Sequence, residues 1–149
     1  MPAFLAFVHH LAAFTLVAAV AVEFVLLRGE LSQANARRIL TTDAVLGAAA
    51  GVVLVAGLLR VLYFEKGAAF YFQNAAFLAK LALFVAVALL SIYPTVKFLS
   101  WRAALKAGRA PAVEPATLRR IRKLVHVELA AIAVLILCAA LMARGIGSF

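Results

Sequence analysis

Ala76–Val96 reads AFLAKLALFVAVALLSIYPTV, a run of 21 residues in which Lys80 is the one formally charged side chain. A helix rising ~1.5 Å per residue needs about 20 such residues to cross the hydrocarbon of a bilayer. Three further runs share that length and character: Phe4–Leu27 (FLAFVHHLAAFTLVAAVAVEFVLL), Ala44–Phe64 and Leu124–Ala143. The whole composition agrees, with 67% hydrophobic residues, 14% charged and a mean hydropathy of +1.08. A soluble domain of 149 residues has too little interior to hide that much apolar surface, whereas a bilayer covers it. The expected fold is all-α, an integral membrane four-helix bundle running up-down-up-down. One transmembrane domain takes up residues 1–149, with spans at about 4–27, 44–64, 76–96 and 124–143. The first run is expected to be a span, not a cleavable leader: Met1–Ala3 carries no basic side chain, and no cleavage context precedes Arg28.

The connections read as segments held against the membrane. Leu31–Asp43 (LSQANARRILTTD) is a polar, partly helical approach to the second span, with Ser32 as its N-cap. In Glu65–Ala75 (EKGAAFYFQNA), Phe70, Tyr71 and Phe72 suit an interfacial aromatic belt, and Asn74 suits a cap for the third span. The longest connection, Lys97–Lys123, holds Pro111 and Pro115, the latter placed for the first turn of the last helix.

Charge sets the expected orientation. The net charge of +9 is concentrated in two connections. Arg28, Arg37 and Arg38 follow the first span, and Lys97, Arg102, Lys106, Arg109, Arg119, Arg120, Arg122 and Lys123 follow the third. Only Arg60, Lys66 and Arg144 mark the other side. The positive-inside rule then places loops 28–43 and 97–123 in the cytoplasm and both termini outside, in a multi-pass protein of a bacterial inner membrane. Topology and contact with anionic lipid headgroups account for the basic residues, so nucleic acid is not the expected partner. A homo-oligomer or a larger membrane complex is compatible with the chain. Cys138, the single cysteine, sits inside an apolar span and reads as packing.

The informative residues are the polar minority within the spans, because ionisable groups in a bilayer are costly and usually functional. By depth they fall into two layers. The outer layer is His9, His10, Arg60 and Lys80. Histidine can ligate haem iron or relay protons, and the two cations suit propionates or another anion. Snorkelling to the interface is the plainer reading of Arg60. Lys80 shares a helical face with Phe84, Val87 and Ser91 that would point inward. The inner layer is Glu23, Asp43, Tyr93, His126 and Glu128, a candidate polar relay. His9 and Glu23 share one stripe of the first helix, and His10 points about 100° away, which favours His9 as the inward histidine. Asp43 lies on a stripe with Gly47, Ala50 and Gly57, where small residues let another helix approach. His126 and Glu128 are two apart and face opposite sides of their helix. His126 sits at the opposite depth from His9 and His10, which argues against one haem ligated by His126 and a helix-one histidine. With only three histidines a two-haem, four-histidine cytochrome is excluded, and no His/Cys spacing matches a metal site.

The run LRVLYFEKGAAFYFQNAAFLAKLALFVAVALLSIYPTVKF (Leu59–Phe98), together with HHLAAF at His9–Phe14 and Glu23, resembles a family of predicted bacterial membrane proteins. Arg60, Gly67, Tyr71, Asn74, Lys80, Tyr93 and Pro94 carry the likeness. More distantly, the layout resembles HemJ-type protoporphyrinogen oxidases and copper-resistance D-type membrane proteins. The HemJ-type pattern has a histidine early in helix one and a Lys-Leu pair early in helix three, which correspond here to His9 or His10 and to Lys80–Leu81. The chain departs from it in lacking the helix-one tryptophan and in having no proline after the acidic residue of LVHVELA. That resemblance implies a tetrapyrrole in a redox role, with haem b as the cofactor. Three readings follow: a haem- or tetrapyrrole-binding redox protein, a non-catalytic accessory or structural subunit of a membrane complex, and a small proton-coupled transporter using Glu23, Asp43 and Lys80.

Overall fold

The computed structural model describes residues 2–64 and 67–147, and no strand occurs among them. Four helices are long and apolar enough to cross a membrane. They are α1 (Pro2–Arg28), α2 (Gln33–Leu59, continued by a π turn at Arg60–Phe64), α4 (Ala75–Ser100) and α6 (Pro115–Ala143), with short helices α3 (Ala68–Phe72) and α5 (Arg102–Lys106) between them. The protein is an all-α, four-helix integral membrane bundle.

The helix starts follow from local chemistry. Ser32 Oγ accepts from the Asn35 amide at 3.1 Å and opens α2, while Asn74 Oδ1 accepts from the Phe77 amide at 3.0 Å and opens α4. Pro115 occupies the first turn of α6, where an amide hydrogen would have no intrahelical partner. All four helices extend beyond the expected spans, most of all α2 and α6, which begin at Gln33 and Pro115. Their basic approaches are rich in Ala, Arg and Leu, good helix formers that extend the helix past the apolar run. α4 continues through Pro94, which costs it one backbone hydrogen bond but does not end it. The loop before α4 starts at Glu65 and Lys66, which lie outside the described residues.

The aromatic belt needs correcting. Phe70 and Phe72 are exposed, but Tyr71 is buried and packs on Phe77 at 5.4 Å between ring centroids. Those three residues form a helical turn, so successive side chains point about 100° apart and the middle one turns into the bundle.

α1 lies along α2 and also meets α6, and α4 lies along α6. α2 and α4 touch far less than the α1–α2 and α4–α6 pairs do, and α1 stands diagonally across from α4. Packing is tightest at the end carrying the basic connections, here called the basic end. There Leu27, Ile39, Phe98, Leu105, Ile121 and Val125 close around Trp101, whose ring is 4.9 Å from that of Phe98. Arg37 Nη2 donates to Leu105 O at 2.8 Å and ties α2 to α5. The outward faces of the helices carry bare apolar side chains such as Phe14, which is 72% exposed in the isolated chain, Val25 and Leu89. In a bilayer these face lipid. Lipid tails are as apolar as Leu, so no hydrophobic force closes a loose seam between two helices. The α2–α4 seam is such a place, and two cavities lie along it.

Candidate functional site

Four stripes, each at helical spacing, converge on the seam: His9, Leu16, Val20 and Glu23 on α1; Asp43, Gly47, Ala50 and Gly57 on α2; Lys80, Phe84, Val87, Ser91 and Thr95 on α4; and Glu128, Ile132, Leu135 and Met142 on α6. Between them stand two cavities. The one away from the basic end has a volume of about 100 Å³ and is walled by His9, Arg60, Tyr71, Lys80 and Phe84, among others. The inner chamber is larger, about 320 Å³, and Asp43, Ser91, Thr95 and Glu128 supply its polar atoms. Phe84 lines both.

In the outer cavity the inward histidine is His9, as its stripe implied. Its Nδ1 lies 3.1 Å from Val53 O. If that nitrogen carries the proton, the hydrogen bond fixes the tautomer and leaves Nε2 as the basic ring nitrogen. Gly57 makes the seat possible, since a Cβ there would stand 3.2 Å from His9 Cε1. Arg60 and Lys80 join His9 around this cavity. His10 does not. It is exposed, with Nδ1 turned back to Ala6 O at 2.6 Å, so it belongs to the outer face of α1. The expected four-residue layer is therefore three residues and a bystander, because adjacent helical positions diverge by about 100°.

The inner layer also divides. Glu23 (1% exposed), Asp43 (7%) and Glu128 (1%) are buried together, and Glu23 is within electrostatic reach of both of the others. Asp43 Oδ1 accepts from Thr95 Oγ1 at 2.7 Å, and the Ser91 hydroxyl lies within hydrogen-bonding reach of Glu128. Glu23 Oε2 and Glu128 Oε1 have no hydrogen-bond partner among the described residues. None of the residues lining the chamber is basic. Tyr93 and His126 are elsewhere. The Tyr93 ring receives the Arg120 guanidinium at 4.5 Å, and His126 is exposed beside Phe24, at 5.6 Å between centroids. His126 and Glu128 thus face opposite ways, as their spacing requires.

Two further points differ from the sequence reading. Gly47 does not admit a neighbouring helix: a Cβ there would meet nothing within 4 Å, and the residue forms chamber wall. Thr95, which gives Asp43 its donor, was not among the expected residues. It continues the Lys80–Phe84–Val87–Ser91 face by one more helical step, so extending that stripe would have found it.

A buried carboxylate lacking a partner costs several kcal/mol, about as much as any single feature of a small protein contributes to its stability. Glu23 and Glu128 each leave one oxygen without a partner among the described residues, while Asp43 is paired with Thr95. Asp43 and Glu128 line a cavity without cations, and the three carboxyls form a site that attracts positive charge or protons. Among the described residues no group of three His, Cys, Asp or Glu stands at metal-binding spacing. The fold and this chamber define a small four-span membrane protein with a polar site inside its bundle. Within that class, the chain belongs to the family described as Predicted membrane protein (DUF2214), whose profile matches residues 1–147. No curated protein and no solved structure matches the chain.

Proposed function

We propose that this protein is a small proton-coupled carrier that takes a monovalent, partly apolar cation into the acidic chamber. The observation that carries the reading is Glu128: 1% exposed, on the wall of a 320 Å³ cavity, with one carboxyl oxygen unpartnered. That volume is at the lower end of small-molecule sites, roughly 300–1,000 Å³. Its mainly aliphatic walls (Leu16, Val20, Leu46, Ile92, Ile132, Leu135) select an apolar body, and its carboxyls select a positive centre. A cation from the bilayer reaches the carboxyls through the loosely packed α2–α4 seam, and one proton leaves for each charge that enters. His9, Lys80 and Arg60 sit beyond Phe84, where His9 can pass protons to the outer surface. The basic connections would face the cytoplasm of a bacterial inner membrane, as the positive-inside rule directs.

The test is uptake of tetraethylammonium by proteoliposomes under an imposed proton gradient. Saturable uptake that Glu128→Gln abolishes, and that Lys106→Gln on a distant exposed face leaves alone, is the expected result. Uptake equal to that of protein-free liposomes overturns the proposal; a stoichiometric co-purifying partner would then identify an accessory subunit instead.

The outer cavity supports a second reading, haem or another tetrapyrrole held by His9 Nε2. The Nδ1–Val53 hydrogen bond favours it, because ligating histidines are usually oriented in this way. Arg60 and Lys80 would meet the acidic side chains of such a ring. At about 100 Å³ the cavity admits only an edge of a macrocycle, so most of the ring would lie in the seam against lipid. A Soret band in detergent-purified protein, lost in His9→Ala, is the expected signature. No band after addition of hemin removes this reading.

A further inference from the structure

A third cavity, about 260 Å³, lies at the basic end between the last turn of α1 and the second turn of α6 onward. Its lining is Phe24, Leu27, Arg28, Arg122, Lys123 and His126: three permanent cations and an imidazole, with no carboxylate among them. We infer that this pocket binds the phosphate of an anionic phospholipid headgroup.

The guanidinium groups are held in place. Arg122 Nε donates to Leu27 O at 2.6 Å, one of the carbonyls that the end of α1 leaves without an intrahelical partner. Anchored through Nε, Arg122 keeps its two terminal amino groups as a fork suited to a phosphate. The Arg28 guanidinium stacks over the Phe24 ring at 4.5 Å, and the other flank of the pocket is closed by His126, 5.6 Å from the same ring. Phe24 therefore orients two of the four nitrogen-bearing groups. Lys123 stands exposed at the rim.

Depth makes the ligand a lipid. Arg28 ends α1, and the apolar run of α6 starts at Leu124, so the pocket straddles the boundary between headgroups and hydrocarbon. Its floor is apolar through Phe24 and Leu27, and Val25 beside them is exposed on the lipid-facing surface. A phosphodiester fits the cations while its acyl chains lie on that surface. Basic pockets between membrane helices are a recurrent form of headgroup recognition. The same cations would also accept free phosphate, and the experiment separates the two sources.

Protein in nanodiscs containing equal phosphatidylglycerol and phosphatidylcholine would be released into detergent and its retained lipid counted by native mass spectrometry. Retention of phosphatidylglycerol over phosphatidylcholine is expected, and millimolar inorganic phosphate should not displace it. The double variant Arg28→Gln/Arg122→Gln should lose roughly 30-fold in affinity, at the ~1 kcal/mol that each cation near a membrane surface contributes. Arg28→Gln alone, at an exposed position whose side chain makes no hydrogen bond among the described residues, should lose about fivefold and covers the case in which the double variant misfolds. Arg109→Gln/Arg119→Gln removes the same charge from exposed positions outside the pocket and should change nothing. Equal retention of the two lipids, displacement by inorganic phosphate, or an equal loss in the Arg109/Arg119 control overturns the assignment.

Discussion

Replacing Glu128 by leucine should make the protein more stable while ending the proposed cation uptake. Glu128 is 1% exposed, and its Oε1 has no donor among the described residues. Burying an unsatisfied polar atom costs about 1–3 kcal/mol, and exchanging buried ionic groups for apolar ones of similar volume commonly recovers about 1–4 kcal/mol. Leucine has nearly the volume of glutamate, and its neighbours Ile132 and Leu135 are aliphatic. The exchange strands no new group, because the Ser91 hydroxyl keeps its 3.0 Å hydrogen bond to Val87 O. A net gain of about 1–3 kcal/mol follows, which for a chain of this length corresponds to a rise in Tm of roughly 2–12 °C. Trp101, the single tryptophan, is buried in the basic-end core and reports the melt in detergent by its fluorescence. The same variant should show no cation uptake, since the chamber has lost its orphaned carboxyl. A Tm at or below the wild type would refute the reasoning, for it would mean that Glu128 stabilises the bundle. A raised Tm with unchanged uptake would keep the energetics and discard the functional role.

The neighbouring carboxyl should respond in the opposite sense. Thr95→Val keeps the side-chain shape but removes the donor 2.7 Å from Asp43 Oδ1, and should lower stability by about 1–3 kcal/mol in the same melt. Gly57→Val should destabilise by about 1–3 kcal/mol by driving methyl groups into the His9 ring. Gly47→Ala, which meets open space, should stabilise by roughly 0.5–1 kcal/mol through helix propensity; shifts of the same sign would show that the two glycines are equivalent. Phe84→Ala removes the ring shared by the two cavities and should raise passive proton leak several-fold, read from a trapped pH dye in proteoliposomes. An unchanged leak would show that something other than Phe84 separates them.

Much of this architecture is legible in the amino-acid order, because a bilayer imposes a simple length requirement on any apolar helix. The four spans, the caps at Ser32 and Asn74, and Pro115 at a helix start depend only on local pattern and backbone chemistry. So do the stripes: the 3.6-residue period alone pairs His9 with Glu23, sends His10 elsewhere, sets His126 against Glu128 and aligns Lys80 with Phe84 and Ser91. The carboxyl site was only half visible. Sequence places Glu23, Asp43, Tyr93, His126 and Glu128 at one depth but is silent on which helices adjoin.

Tertiary structure decided the rest. Setting α1 beside α2 and α6, with α4 diagonally across, gathers Glu23, Asp43 and Glu128 and leaves Tyr93 and His126 to basic neighbours. The sparse contact between α2 and α4 turns Gly47 from a packing residue into chamber wall and opens the two cavities. The physical reason is the solvent. Lipid exerts no hydrophobic pressure on a seam between apolar helices, so helix–helix contacts in the membrane follow shape and polar pairing that no one-dimensional pattern records. The run Ala76–Val96 determines that a helix crosses the bilayer. Only its neighbours determine that Lys80 on that helix faces one cavity while Ser91 and Thr95 face another along the same seam.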